Sequence, residues 1–285
     1  LVVAPDVVNT LMVATGAPST DVPDSLSNLF DAFDTNPISE DANGDGDVYD
    51  ETERGGDGFV EAADVIVTLK RATLVPEYPY IRRVDNEYPF STRPDGNRHM
   101  ANRDGPDTLY FGEAEGAPGT IAQVAIWLKH NSGTPLTGLV SGFGAFLEEG
   151  EYSPEEALSF EPEAGINLFQ ANDGNDFVSV LLTDIPEQAE GATVLLGHLE
   201  VEIPEDMETG SFLTLTAGSA SGSGPEYEFI TVDGLTGVIT TMLQSNVITY
   251  ISGWNLVGLP LEVEDASYSN LFPESISGTL YSYDA

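Results

Sequence analysis

The sequence predicts a mainly β protein with a small α-helical module at its N-terminus. Three observations carry that expectation. The 285 residues include 29 Gly and 18 Pro, with abundant Thr, Val and Tyr, a composition that favours strands and turns over helix bundles. Between residues 118 and 243, short apolar runs recur between turn residues, the spacing of a β-sandwich. Near the N-terminus a fifteen-residue stretch occurs twice, each copy ending in helical periodicity. The length suits roughly two domains of about 100–200 residues each.

Residues 41–64 read DANGDGDVYDETERGGDGFVEAAD. Asp41, Asn43 and Asp45 alternate and Gly46 follows, the opening of a calcium loop that takes oxygen ligands at positions 1, 3 and 5 with Gly at 6. Position 12 would be Thr52, where a carboxylate belongs. The repeat explains the mismatch. LVVAPDVVNTLMVAT (1–15) and FVEAADVIVTLKRAT (59–73) share Val2/Val60, Ala4/Ala62, Asp6/Asp64, Val7/Val65, Thr10/Thr68, Leu11/Leu69, Ala14/Ala72 and Thr15/Thr73. Counting back from Asp64 as position 12 puts Val60 at 8, Gly58 at 6 and Asp57 at 5. The loop is therefore split by an insertion, DVYDETERGGDG (47–58), between its opening ligands and its closing carboxylate. In the first copy only the closing residue, Asp6, is visible, and the opening ligands are expected before Leu1. LVVAPDVVNTLMV has neither an initiator Met nor a basic signal region, and it reads as the interior of a longer chain.

Each copy then predicts an amphipathic helix. Val65, Ile66, Leu69 and Ala72 form one apolar stripe, and Lys70 and Arg71 sit where cations suit the C-terminal end of the dipole. Another helix is expected near SLSNLFDAF (25–33). These residues resemble the dockerin module, paired calcium loops each followed by a helix, over residues 1–76. The resemblance implies bound calcium (Ca2+). Its candidate ligands are Asp41, Asn43, Asp45, Asp47, Asp57 and Asp64, with Asp6 in the first loop; spacing leaves open which of Asp47, Asp50 and Asp57 completes the shell. A hard cation with oxygen ligands is also what residues lacking Cys and His would hold.

Residues 77–117 form a linker or transition segment, with turn signals at PDGN and RDGPD. Arg82, Arg83, Arg93, Arg98 and Arg103 account for over half of the nine Lys and Arg. They are suited to docking on an acidic module or to pairing with nearby acids.

From 118 the pattern turns to β. TIAQVAIWLKH, LTGLVSGFGAFL, FVSVLLTD, TVLLGHLEVEI, SFLTLTAG, YEFITVDG and GVITTML are the expected strands. With INLFQANDGNDFVSVLLTD and the closing DGLTGVIT, the order of features resembles the cohesin domain over 118–243. That resemblance implies a nine-strand jelly-roll-like sandwich, of the cohesin/Ig-like class, whose sheet face binds a dockerin helix. The tail, 244–285, carries GWNLVGLPL and LFPESISGTLYSYD, and resembles the start of a β module of secreted bacterial surface proteins. It is expected to pair with another sheet, in its own protomer or in the next.

Composition also excludes. Forty-eight acids against nine Lys and Arg give a net charge of −39, which repels nucleic acid and anionic lipid. The absence of Cys removes disulfides, thiolate metal sites and a Cys nucleophile. No apolar run reaches the roughly 18–20 residues of a membrane span. His99, His130 and His198 belong to no HExxH-like motif, and no GxSxG or P-loop occurs. Trp127 and Trp254 lie in apolar strand patterns and are expected in the core. No enzyme is expected. The sequence points to an extracellular, calcium-stabilised assembly protein, a protomer joined head to tail with other copies or with a cohesin/dockerin-type partner. The alternative is the non-catalytic carrier or adhesion region of a larger secreted protein.

Overall fold

The computed structural model describes residues 2–23, 28–35, 59–75, 105–131, 133–148, 152–225 and 229–242. Three helices come first: α1 (Ala4–Thr15), α2 (Asn28–Phe33) and α3 (Ala62–Ala72). The repeat is visible in their register, since α1 and α3 begin at the matched residues Ala4 and Ala62. At each N-terminus the third helical residue turns back on the chain. Asp6 Oδ2 accepts the Val3 N–H at 2.7 Å, and Asp64 Oδ2 accepts the Glu61 N–H at 2.9 Å. Each bond satisfies a backbone donor that flanks the helix start. At each C-terminus the matched threonine bonds one turn back, Thr15 Oγ1 to the Leu11 carbonyl and Thr73 Oγ1 to that of Leu69, both at 2.9 Å. The ends differ beyond that point. α1 closes in a Schellman turn, with Gly16 left-handed (φ 66°) and the Ala17 N–H donating to the Met12 carbonyl. The short α2, inside the stretch expected to be helical, buries Phe30 and Phe33.

Eleven strands follow among the described residues: β1 (Asp107–Phe111), β2 (Ala114–Gly116), β3 (Ile121–Lys129), β4 (Gly138–Leu147), β5 (Ser159–Pro162), β6 (Asn167–Asn172), β7 (Phe177–Thr183), β8 (Thr193–Glu202), β9 (Phe212–Ser223), β10 (Phe229–Gly234) and β11 (Thr236–Thr241). They pair in the order β5-β8-β3-β1-β10-β9-β4-β7-β6, with β11 between β9 and β2. The parallel pair β1–β10 joins two layers, and the other pairings along that order are antiparallel. The fold is thus mainly β with a small helical N-terminal part, as the composition and repeat led us to expect.

Alternate residues from both layers meet in one core. Val124, Ile126 and Leu128 of β3 and Leu199 and Val201 of β8 face Leu139 and Phe143 of β4, Val178 and Val180 of β7, and Leu213 and Leu215 of β9. Phe143 stacks on Phe160 at 5.8 Å and meets Phe111 edge-on at 6.0 Å. Polar pins hold the rims. His130 Nδ1 lies 2.9 Å from Asp107 Oδ2, both fully buried, and the Asn131 N–H donates to Asp107 Oδ1 at 2.7 Å. These bonds tie the start of β1 to the end of β3. The Tyr152 hydroxyl donates to the Glu202 carbonyl at 2.9 Å; burial, and then Glu202 and Asp176, push its pKa far above the ordinary tyrosine value.

Two expectations need correction. Trp127 is not in the core: on β3 the interior residues are Val124, Ile126 and Leu128, and Trp127 is half-buried on the opposite, outer face. Trp254 lies outside the described residues. Strands β1, β2, β5 and β6 escape the apolar-run reading because they are short or rich in Gly, Pro, Asn and acids. Their pairing with longer neighbours, rather than their own propensity, makes them strands.

Candidate functional site

The two layers of the sandwich differ on their outer faces. On β3 burial alternates strictly up to the last residues, whereas β4 and β7 are buried almost residue by residue. A strand buried on both sides needs a second covering layer. Here α1 and α3 supply it. Val7, Leu11 and Ala14 of α1 and Ala62, Val65 and Ile66 of α3 form one cluster with Val140 of β4 and Leu181 of β7. Phe169 and Ala171 of β6 pack at its edge.

The seat for the helix pair is shaped by missing side chains. Along the outer face of β4, every second position from Gly138 to Gly144 is Gly except Val140. A Cβ on Gly138 would strike Ile66 Cδ1, and one on Gly142 would strike the Phe177 ring and lie 3.0 Å from the Thr15 carbonyl oxygen. A Cβ on Gly218 would also lie 3.0 Å from that oxygen. Gly142 and Gly218 sit at a β-bulge, where the register of β4 and β9 shifts between Ser141/Ala220 and Phe143/Ala217. Bulges locally bend and twist a strand, and this one receives the C-terminal turn of α1. Gly16 of that turn faces Ser219 from the same bulge.

Hydrogen bonds fix the register of the seat. The Thr15 and Ser179 hydroxyls are 2.7 Å apart and fully enclosed. At the start of α3 the first helical N–H, that of Ala62, donates to Ser221 Oγ at 3.0 Å. A sheet serine thus satisfies one of the donors a helix N-terminus leaves open. At the rim Ser19 N–H donates to Asp173 Oδ2 at 2.6 Å, and the Ser19 hydroxyl donates to the same carboxylate. Buried polar groups left without a partner cost about 1–3 kcal/mol each, so the Thr15–Ser179 and Ala62–Ser221 bonds, both buried, reward one placement of the helices and penalise slipped ones.

The metal-ligand expectation meets this arrangement at two residues. Asp6 and Asp64 occupy matched places at the starts of α1 and α3. Asp64 is fully buried, and besides the Glu61 N–H it accepts the Thr35 N–H through Oδ1 at 2.6 Å. Asp41, Asn43, Asp45, Asp47 and Asp57 lie outside the described residues. Among the described residues no group of three or more acidic, His or Cys side chains is placed to hold a metal, so Asp6 and Asp64 do not make a site without further ligands. His130 is the buried partner of Asp107, His198 is half-buried on the outer face of β8, and His99 lies outside the described residues.

Sequence reasoning passed over the residues that build the seat: Thr15, Ser179, Ser221, Gly142 and Gly218. A signal for them was present. GLVSGFGAFL and FVSVLLT lack the polar alternation of a strand with one wet face, and small residues mark the outward positions.

No family model matches the chain, and no curated protein matches it. Among solved structures the chain is similar to cohesin modules. The non-cellulosomal cohesin of the hyperthermophilic archaeon Archaeoglobus fulgidus is 13% identical, with 49% of this chain and 93% of that one covered and a TM-score of 0.37. The seventh ScaB type I cohesin of Pseudobacteroides cellulosolvens is 14% identical, with 51% and 98% covered and a TM-score of 0.38. The sixth cohesin of Acetivibrio cellulolyticus scaffoldin B, solved in complex with a Cel5 dockerin, is 14% identical, with 48% and 99% covered and a TM-score of 0.37.

Proposed function

We propose that this chain is a non-catalytic interaction and assembly module, in which a helix pair is the ligand and the outer face of β4, β7 and β9 is its receptor. The observation that carries this reading is the seat itself. Glycines clear space for α1, and buried hydroxyls bond each helix to the sheet, Thr15 to Ser179 and the start of α3 to Ser221. One polypeptide therefore carries both halves of a contact. Repeated between copies, such a contact is heterologous and propagates head to tail unless its rotation closes a ring.

The same reading makes the protein extracellular and calcium-stabilised. In the split loop Asp41, Asn43, Asp45, Asp47 and Asp57 would join Asp64, with Asp6 closing the first loop. Calcium bound there would neutralise part of the −39 charge and brace the starts of α1 and α3, where Asp6 and Asp64 sit. Among the described residues no helix is long and apolar enough to cross a membrane.

The test is electron microscopy and light scattering of the full chain, concentrated in calcium and high salt, beside Gly142→Val. Elongated particles from the natural chain that vanish in the variant would support the reading. A natural chain that stays monomeric at every concentration would overturn the assembly role. If a chelator changes neither melting nor particle length, the calcium part falls alone.

A further inference from the structure

The helix pair occupies the receptor face of its own chain, and that has a consequence for how any assembly could start. We infer that the protein is self-occluded: its own α1 and α3 compete with those of a second copy for one sheet face, and copies join only by exchanging helix pairs. The inference rests on the proposed assembly role and specifies how that same site is regulated.

The fit of the seat leaves no room for two occupants. Val140 and Leu181 are fully buried beneath α1 and α3, and the Thr15 carbonyl sits on Gly142 and Gly218. A helix from another chain can reach Ser179 and Ser221 only after Thr15 and Ala62 have left them. The best-fitting replacement is a helix pair with the same groups in the same places: the Thr15 hydroxyl, the left-handed Gly16 turn, the Ser19 clamp and an open N–H at Ala62. A second copy of this chain offers all four.

Chain length permits the exchange. Residues 73–106 separate α3 from β1, and a connection of that length spans at most about 110–120 Å at roughly 3.3–3.6 Å per residue. That is enough for a helix pair to reach a neighbouring sandwich. Exchange replaces each contact by an identical one, so its balance depends on concentration rather than on contact strength. A ligand joined to its receptor within one chain experiences an effective concentration set by the length of the connection, on the order of millimolar where that length suffices to span the sites. Dilute chains are therefore closed on themselves, and crowding at a surface favours exchange. Concentrated salt helps by screening the mutual repulsion of chains with charge −39.

Cysteine cross-linking tests this on the full chain, which has no Cys of its own. The Thr15 and Ser179 oxygens are 2.7 Å apart, near the ~2.05 Å of a disulfide. The double variant Thr15→Cys with Ser179→Cys should form an intrachain bond on oxidation and lose assembly, and reduction should restore it. Mixing Thr15→Cys with Ser179→Cys single variants should give a heterodimeric cross-link that grows with concentration. Should the buried pair disturb folding, Ser19→Cys with Asp173→Cys makes the same measurement at the exposed rim. A locked double variant that assembles like the natural chain overturns self-occlusion and leaves the assembly role standing. Absence of any mixed cross-link from particles that do assemble has the same force. Should both double variants fold yet form no bond either within or between chains, the seat itself falls, and with it both readings.

Discussion

The two outer faces of the sandwich are built from strands of similar length and end in different fates. On the β3–β8 side, Gln123 bonds Glu200 at 3.3 Å, and Glu200 in turn accepts the Ser159 hydroxyl at 2.8 Å. No described element covers that ladder. On the β4–β7 side the outward positions are Gly138, Val140, Gly142 and Gly144, with Ser179 and Leu181 beside them, and two helices close over most of them. The difference shows what a second covering layer asks of a strand. It needs small residues where a helix backbone approaches, apolar ones where helix side chains land, and single hydroxyls where buried polar groups must be matched.

Substitutions can break that contrast, and they rank by how much of the covering layer each removes. Leu11→Ala empties a fully buried position under α1 and should cost about 2–5 kcal/mol, read as a lower urea midpoint with faster amide exchange in α1 and α3. Gly142→Val forces a side chain against Phe177 and Thr15. Overpacking of this kind costs about 1–3 kcal/mol, and protease should then cut near α1 sooner than within the β3–β8 layer.

Tyr152 offers a smaller effect with a pH signature. Its folded pKa is raised, so below the ordinary tyrosine value of about 10 both states keep the proton and stability is flat. Above about pH 10 the unfolded chain releases its proton first, and stability falls as pH climbs towards the folded value. Tyr152→Phe should remove that alkaline slope and cost about 1 kcal/mol at neutral pH, measured by denaturation across pH 8–11. On the uncovered face, Gln123→Ala should stay within about 0.5 kcal/mol of the natural chain. A larger loss there would mean that this face too is covered in solution.

Local elements were legible in the sequence. Ala4 and Ala62 begin helices in the register that the repeat dictates, and Asp6 and Asp64 take equivalent bonds. The helix expected within 25–33 is present as α2, and the seven apolar runs all correspond to strands. Periodicity reads these because each depends on one segment's alternation or stripe. The weak strands β1, β2, β5 and β6 are set by partners far along the chain. Trp127 shows the same limit: its apolar neighbours mark β3 as a strand, while the face on which Trp127 stands depends on the pleat's register with β1 and β8.

The candidate site divides in the same way. Repetition singles out Asp6 and Asp64, and both stand at matched helix starts, each accepting the N–H three residues before it, because such a bond is local in sequence. Only the tertiary structure brings Thr15 to Ser179, Ala62 to Ser221 and the Thr15 carbonyl to Gly142 and Gly218. Those partners lie more than a hundred residues apart, and nothing within either segment specifies the other. Sequence periodicity reports which face of an element is apolar. Which surface that face meets is decided when helices and sheet pack, by the fit of small residues to a helix backbone and the matching of buried hydroxyls.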